Sequence, residues 1–131
     1  EFFPEARYEK IGLQEMDFRE EFDGIVSSFS MLCLDPENFR LTSSKIYEAL
    51  KIGGYFLLFL NEPGPEGHRE EENLTTVLGE PMYSRPYTED EIRKFFTKGM
   101  EFIRVEREIA TTSEYGKEYT LLILMKKKNP V

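Results

Sequence analysis

The stretch "EEFDGIVSSFSMLCL" (residues 20–34) decides the fold. At its centre, "FDGIVSS" (22–28) is apolar at Phe22, Ile25 and Val26 without strict alternation, which is the pattern of a strand covered on both faces in a parallel sheet. An acidic turn, Glu20-Glu21, leads into it, and a serine-rich exit, Ser27-Ser28-Phe29-Ser30, leads out. Asp23 reads as a turn residue at the strand start. A helix signal comes next, with Asp35 as N-cap and Pro36 at the first helical position, where its missing N–H costs nothing. Phe39, Ser43, Ile46 and Leu50 then share one helical face, flanked by Tyr47 and Ala49, and Gly53-Gly54 supplies the stop. "YFLLFL" (55–60) follows as a second fully apolar strand. Strand, helix and strand in this order form a βαβ crossover, which is nearly always right-handed.

Upstream, "ARYEKI" (6–11) is a short strand candidate closed by Gly12, and "GLQEMDFREE" (12–21) is a polar loop with Met16 and Phe18 as apolar anchors. Downstream, residues 61–87 show no clear period and carry four prolines and three glycines, so they read as a long connection: a lid, a binding loop or a partly ordered segment. Thr88 and Glu91 form a T-x-x-E capping box that opens the helix "EDEIRKFFTK" (89–98), with Ile92, Phe95 and Phe96 inward and Gly99 as the stop. In "EFIRVEREI" (101–109), Ile103, Val105 and Ile109 are expected on one face; "TTSEYGK" (111–117) reads as a hairpin loop and "YTLLILM" (119–125) as a long apolar strand.

The chain of 131 residues is expected to form one domain, 1–131, and its 40% hydrophobic and 14% aromatic content is enough for a core. A formal charge of −8 and a pI near 4.8 repel a phosphate backbone, so no nucleic-acid partner is expected. The one basic run, Lys126 to Lys128, reads as a solubilising tail. Cys33 is alone, which excludes an internal disulfide, and between Leu32 and Leu34 it reads as core. One histidine and one cysteine give no zinc set, and no metal is expected. Glu70-Glu71-Glu72 reads as a solvated face, and Asp17, Glu20 and Glu21 have nothing that places them across a cleft. No apolar run approaches the roughly 18 residues of a membrane span. The opening Glu-Phe-Phe-Pro lacks the order of a signal peptide, so a cytoplasmic chain with no membrane partner is expected.

Three stretches together carry a resemblance: "EEFDGIVSSFSMLCL", "IYEALKIGGYFLLFLNEPG" (46–64) and "YTEDEIRKFF" (87–96) leading into a terminal hairpin. From about Ala6 to Lys127 the chain resembles the C-terminal half of a class I S-adenosylmethionine-dependent methyltransferase of the small-molecule type. The stretches look like the family's fourth strand and its exit, the helix with a Leu-Lys-x-Gly-Gly stop before the fifth strand, and the last helix with the antiparallel sixth and seventh strands. The resemblance implies an α/β fold: a partial Rossmann-like methyltransferase sheet, parallel strands with a C-terminal antiparallel β-hairpin, equivalent to strands 3 to 7 of the family. In the family order 3-2-1-4-5-7-6 the first strand would lie beside "FDGIVSS". Without it, "ARYEKI" is expected to fold back onto that edge, or two chains to meet there as a homodimer.

The resemblance also exposes a gap. Family members hold S-adenosylmethionine with a glycine-rich loop, and this chain contains no G-x-G. The expectation is a fragment of a longer protein, or a degenerate relative, and a start at Glu rather than Met points the same way. Binding of S-adenosylmethionine by this chain alone is expected to be weak or absent.

Residue by residue, the resemblance implies the following. Gly12 stands where the family places an adenine-binding Asp, with Leu13 at the position of the adjacent N–H and wall, and Gln14 or Glu15 available to substitute; a plain turn glycine is the other reading of Gly12. Ser28 and Phe29 leave the strand at the carboxyl edge, where ligands of open α/β sheets bind, so they are implied to bind the cofactor, facing its sulfonium and the acceptor, unless the serines merely pair with backbone. Asn61, His68, Tyr83 and Arg85 are candidates for the pocket of a small-molecule methyl acceptor, with His68 as a possible base or simply a solvated loop residue. Tyr83, Arg85 and Tyr87 serve equally well to fix the loop to the sheet. No catalytic residue is identified, because methyl transfer is an in-line displacement that positioning and desolvation can drive. Two functions stay open: methyl transfer to a small molecule as part of a longer chain, and a non-catalytic α/β interaction module descended from such an enzyme.

Overall fold

A computed structural model describes residues 5–68, 73–97, 99–113 and 116–129. After a 3-10 turn at Leu13–Glu15 come strand β1 (Phe22–Ser28), a second 3-10 turn at Met31–Cys33, helix α1 (Pro36–Ala49) and strand β2 (Leu50–Asn61). Strands β3 (Leu74–Val77) and β4 (Glu80–Tyr83), helix α2 (Glu89–Phe95) and strands β5 (Met100–Thr112) and β6 (Gly116–Lys127) follow. The main sheet has the order β1-β2-β6-β5, and β3 and β4 form a separate antiparallel pair. β1 and β2 run parallel, β2 and β6 antiparallel, and β5 and β6 form the terminal hairpin.

Local chemistry starts the helices as the sequence implies. Asp35 accepts a hydrogen bond from the Asn38 N–H at 2.8 Å, and Pro36 opens α1. At α2 the Glu91 N–H donates to Thr88 Oγ1 at 3.1 Å while the Thr88 N–H donates to Glu91 Oε1 at 3.0 Å, a complete capping box. Both helices pack on one face of the sheet. Phe39 and Ile46 of α1, Ile92 of α2 and Phe96 at its C-terminal cap are buried with Phe56, Leu58, Leu60, Leu121, Ile123 and Met125 of β2 and β6. Each fully buried side chain of this kind contributes about 2 kcal/mol of transfer free energy.

Several expectations are corrected. β1 is not covered on both faces: Val26 is 65% exposed while Ser27 is buried, because α1 and α2 lie on the same side and no described residue forms a layer on the other. Residues 6–11 form no strand, so "ARYEKI" does not fold back, and the outer edge of β1 has no strand neighbour among the described residues. Gly53-Gly54 does not end α1. The helix stops at Ala49, Leu50 is already extended, and the two glycines sit inside β2 at a bulge where Phe22 pairs with Leu50 but Gly24 pairs with Tyr55. Gly53 takes φ +86°, and a Cβ on Gly54 would stand 2.9 Å from the Lys51 carbonyl oxygen and 3.0 Å from that of Asp23. Both positions therefore need glycine.

The segment 61–87 is more regular than its composition suggests, since it holds the β3–β4 hairpin turned at Leu78-Gly79, both at positive φ. Ile103, Val105 and Ile109 do not line the core together. A register shift between Phe102 and Arg104 puts Phe102 and Val105 against the core, leaving Ile103 at the irregularity and Ile109 exposed. Lys127 is no solubilising tail: its buried ammonium donates to the carbonyls of Tyr47 at 2.7 Å and Leu50 at 2.9 Å, closing the C-terminus of α1. Cys33 is a free, half-buried thiol. The Glu70-Glu71-Glu72 run and the N-terminal Glu-Phe-Phe-Pro lie outside the described residues. Among the described residues no helix is long and apolar enough to cross a membrane.

Candidate functional site at the carboxyl edge of the sheet

β1 and β2 point their carboxyl ends at the same edge, and β6, antiparallel to β2, brings its N-terminal half to that edge as well. Ser28 ends β1 opposite Phe59, and the Phe29 N–H donates to the Phe59 carbonyl at 3.1 Å. Phe29 then turns through φ +54°, a backbone conformation rare for a bulky side chain, which sets its ring 5.9 Å from the ring of Phe59. The sheet face bearing Phe59 and its neighbour Leu122 is the face without a helical layer. A cleft of 670 Å³ opens here, floored by Phe29, Phe59 and Leu122 and walled by Glu106 and Glu108 of β5. Ser28 points to this exposed side, whereas Ser27 is buried with its hydroxyl 3.0 Å from that of Ser30.

A second cleft, of 600 Å³, lies along the same edge between Asn61, His68, Ser84 and Tyr119. Asn61 is fixed on both sides: its carbonyl accepts from the Tyr87 N–H at 2.9 Å, and its amide donates to the Tyr119 carbonyl at 3.4 Å. His68 lines the cleft with a buried Nε2 that has no hydrogen-bond partner among the described residues.

Arg85 and Tyr87 fasten the loop. The Arg85 guanidinium is buried, donates to Glu91 at 2.9 Å and lies 4.7 Å above the Tyr87 ring; the Tyr87 hydroxyl donates to the Leu34 carbonyl. Burial pushes the Tyr87 phenol well above its ordinary range. Burial also acts to raise the Glu91 carboxyl, but the hydrogen bonds from Arg85 and Thr88 outweigh it and hold the group below its usual range. Tyr83 sits at the end of β4, where its hydroxyl accepts from Asn73 at 3.4 Å. A third fastening joins β5 to the loop and to α2: Arg107 donates to Glu62 at 3.2 Å and to Glu89 at 2.8 Å. Arg107 and Arg93 together hold the Glu89 carboxyl below its usual range.

Of the sequence-derived candidates, the structure thus gathers Ser28, Phe29, Asn61 and His68 along one edge and commits Arg85 to the loop's anchorage. Gly12, Leu13 and Gln14 lie elsewhere, in the 3-10 turn that packs on α1. Their surroundings do not suit adenine. The Gly12 N–H is taken by Glu15 Oε1 at 3.2 Å, the space beside its Cα is filled by that carboxylate, Leu13 packs against the core, and Gln14 is exposed. With no G-x-G in the sequence either, the residues present do not fit S-adenosylmethionine by themselves. Phe59, Leu122, Glu106 and Glu108 were missed in the sequence because they look like ordinary strand residues. Period-two alternation from Asn61 back to Phe59, and across the pairing to Leu122 and Glu106, is the signal that finds them. No group of three or more His, Cys, Asp or Glu side chains among the described residues is placed to hold a metal ion.

No protein-family model matches the chain, and no curated protein matches it. Solved structures do. A SAM-dependent methyltransferase from Methanosarcina mazei superposes with a TM-score of 0.74 at 17% identity, covering 90% of this chain and 65% of that one. The 1,6-didemethyltoxoflavin-N1-methyltransferase of Burkholderia thailandensis, solved with 1,6-didemethyltoxoflavin and S-adenosylhomocysteine bound, superposes at 0.66 with 18% identity over 91% of this chain and 49% of that one. The N-methyltransferase NodS of Bradyrhizobium japonicum, in complex with S-adenosylhomocysteine, gives 0.66 at 15% identity over 91% and 53%. The chain therefore has a class I methyltransferase-like fold, a partial Rossmann-like sheet, and spans about half to two thirds of the length of these structures.

Proposed function

We propose that this chain supplies the acceptor side of an S-adenosylmethionine-dependent methyl transfer to a small molecule, working with polypeptide that provides the donor-binding side. The observation that carries the reading is the β1-α1-β2 unit, whose carboxyl edge opens clefts at Phe29 and at Asn61 within a methyltransferase-like fold. S-adenosylmethionine, held by that other polypeptide, would contribute an electrophilic methyl group. The chain's own residues shape the acceptor's surroundings: Phe29 and Phe59 form an apolar floor that sheds water in one cleft, and Asn61 and His68 line the second cleft along the same edge. His68, whose Nε2 has no hydrogen-bond partner among the described residues, is the side chain of that second cleft assigned to receive a proton from an acceptor hydroxyl or amine.

The test uses the polypeptide purified from its native source, titrated calorimetrically with S-adenosylhomocysteine. Saturable one-site binding supports the reading, and its absence sinks it. The second reading, an interaction module, is favoured by the outer edge of β1, which has no strand neighbour among the described residues, carries neither lysine nor proline, and exposes Val26 beside it. On that reading two copies pair edge to edge as a homodimer. Sedimentation equilibrium of the chain showing only monomer at about 100 µM, far above the dissociation constant of a specific pair, would dismiss it.

A further inference from the structure

The chemistry of the first cleft selects a ligand class. We infer that the Phe29–Phe59 cleft takes an organic cation, an amine in its ammonium form carried on an apolar or aromatic body. The inference rests on the reading of this edge as the acceptor side and names the acceptor's class: the amine binds as the ammonium, and its proton passes to solvent before the nitrogen lone pair takes the methyl group.

The floor is apolar and aromatic. Phe29 and Phe59, whose ring centroids stand 5.9 Å apart with planes tilted by 37°, line the cleft together with Leu122. Aromatic faces attract a cation through the ring quadrupole. The wall on the β5 side is anionic, because register places Glu106 beside Leu122 and Glu108 beside Thr120, on the same sheet face as Phe59. The charges within the wall do not cancel. Glu106 shares Arg104 at 2.8 Å, whereas Glu108 has no ion-pair partner among the described residues. Arg107, the one cation of the lining, is already occupied by Glu62 at 3.2 Å and Glu89 at 2.8 Å. An anionic ligand would meet two carboxylates and no available cation. A neutral ligand would find the ring faces but leave Glu108 without its strongest kind of partner. An ammonium satisfies both at once, with charge-assisted hydrogen bonds to Glu108 and its body against the rings.

The test is a titration of the 131-residue chain followed by amide NMR, with no methyl donor present. The probes are 2-phenylethylamine, 2-phenylethanol and 3-phenylpropionate, which share a body and differ in charge. Saturable shifts at Phe29, Phe59 and Glu108 are expected with the amine, about tenfold weaker association with the alcohol, and no saturation with the carboxylate. Glu108→Gln, an exposed strand position that folding does not depend on, is expected to weaken the amine about tenfold and leave the alcohol unchanged. Equal binding of the three probes, shifts outside the cleft only, or an indifferent Glu108→Gln variant would overturn the inference. Since no donor is involved, loss of the amine site leaves methyl transfer to another class of acceptor standing. Amine binding in a protein that never binds S-adenosylhomocysteine would instead keep the site and remove the transfer.

Discussion

Tyr87 shows how a single residue can be legible in kind and illegible in role. The sequence presents it beside Tyr83 and Arg85 as either pocket wall or loop anchor, and only the folded chain decides, by burying the ring completely and aiming its hydroxyl at the Leu34 carbonyl. Truncation to Phe removes that hydrogen bond and is expected to cost about 1 kcal/mol near neutrality. The cost depends on pH in a defined direction. Burial raises the folded-state pKa above the ordinary value near 10 of an unfolded tyrosine, so the contribution of the neutral phenol is complete below about pH 10 and is lost as pH rises toward the folded value. Urea denaturation of both proteins at about pH 8 and about pH 11 is expected to show the gap between them narrowing at the higher pH. A constant gap would contradict the burial argument. By contrast, Asp35, Thr88 and Glu91 were legible outright, because a cap is a local device whose partners lie within three residues.

At the scale of elements, the apolar runs became strands and the capped segments became helices, yet three assignments depended on contacts no local pattern records. "ARYEKI" has strand propensity but pairs with no strand among the described residues, and the β3–β4 hairpin hides in a Pro- and Gly-rich stretch because its signal is one Leu-Gly turn between four-residue strands. The Gly53-Gly54 pair was legible as punctuation, but its structure is a bulge in β2 and not a helix stop. That difference is measurable. Gly53→Ala meets open space at a positive φ and is expected to cost about 1 kcal/mol, whereas Gly54→Ala drives a Cβ against two backbone carbonyls and is expected to cost about 2–3 kcal/mol. Thermal or chemical denaturation of the two variants checks the order. A helix-stop role would instead make Gly53, in the left-handed conformation, the more sensitive of the two.

The whole molecule is a sheet with one finished face and one unfinished one. α1 and α2 cover Phe56, Leu58, Leu121 and Ile123, while Val26, Tyr55 and the Phe29–Phe59 cleft lie on the opposite side with no layer of described residues above them. The sequence suggested full burial of "FDGIVSS" because an apolar run records which faces a strand can bury, not which faces this chain covers. The absence of a G-x-G was legible directly; the grouping of Glu106 and Glu108 with Leu122 and Thr120 on one face was not, since it arises only through cross-strand register. The proposed function has this chain shape an acceptor's surroundings while other polypeptide holds the methyl donor. The most direct test is a calorimetric titration of the 131-residue chain alone with S-adenosylhomocysteine. The account predicts no saturable heat up to about 1 mM, the range where a binding free energy falls to about 4 kcal/mol. Saturable one-site binding at micromolar concentration would contradict it, and would mean that the loops at this edge, or two copies together, rebuild a donor pocket.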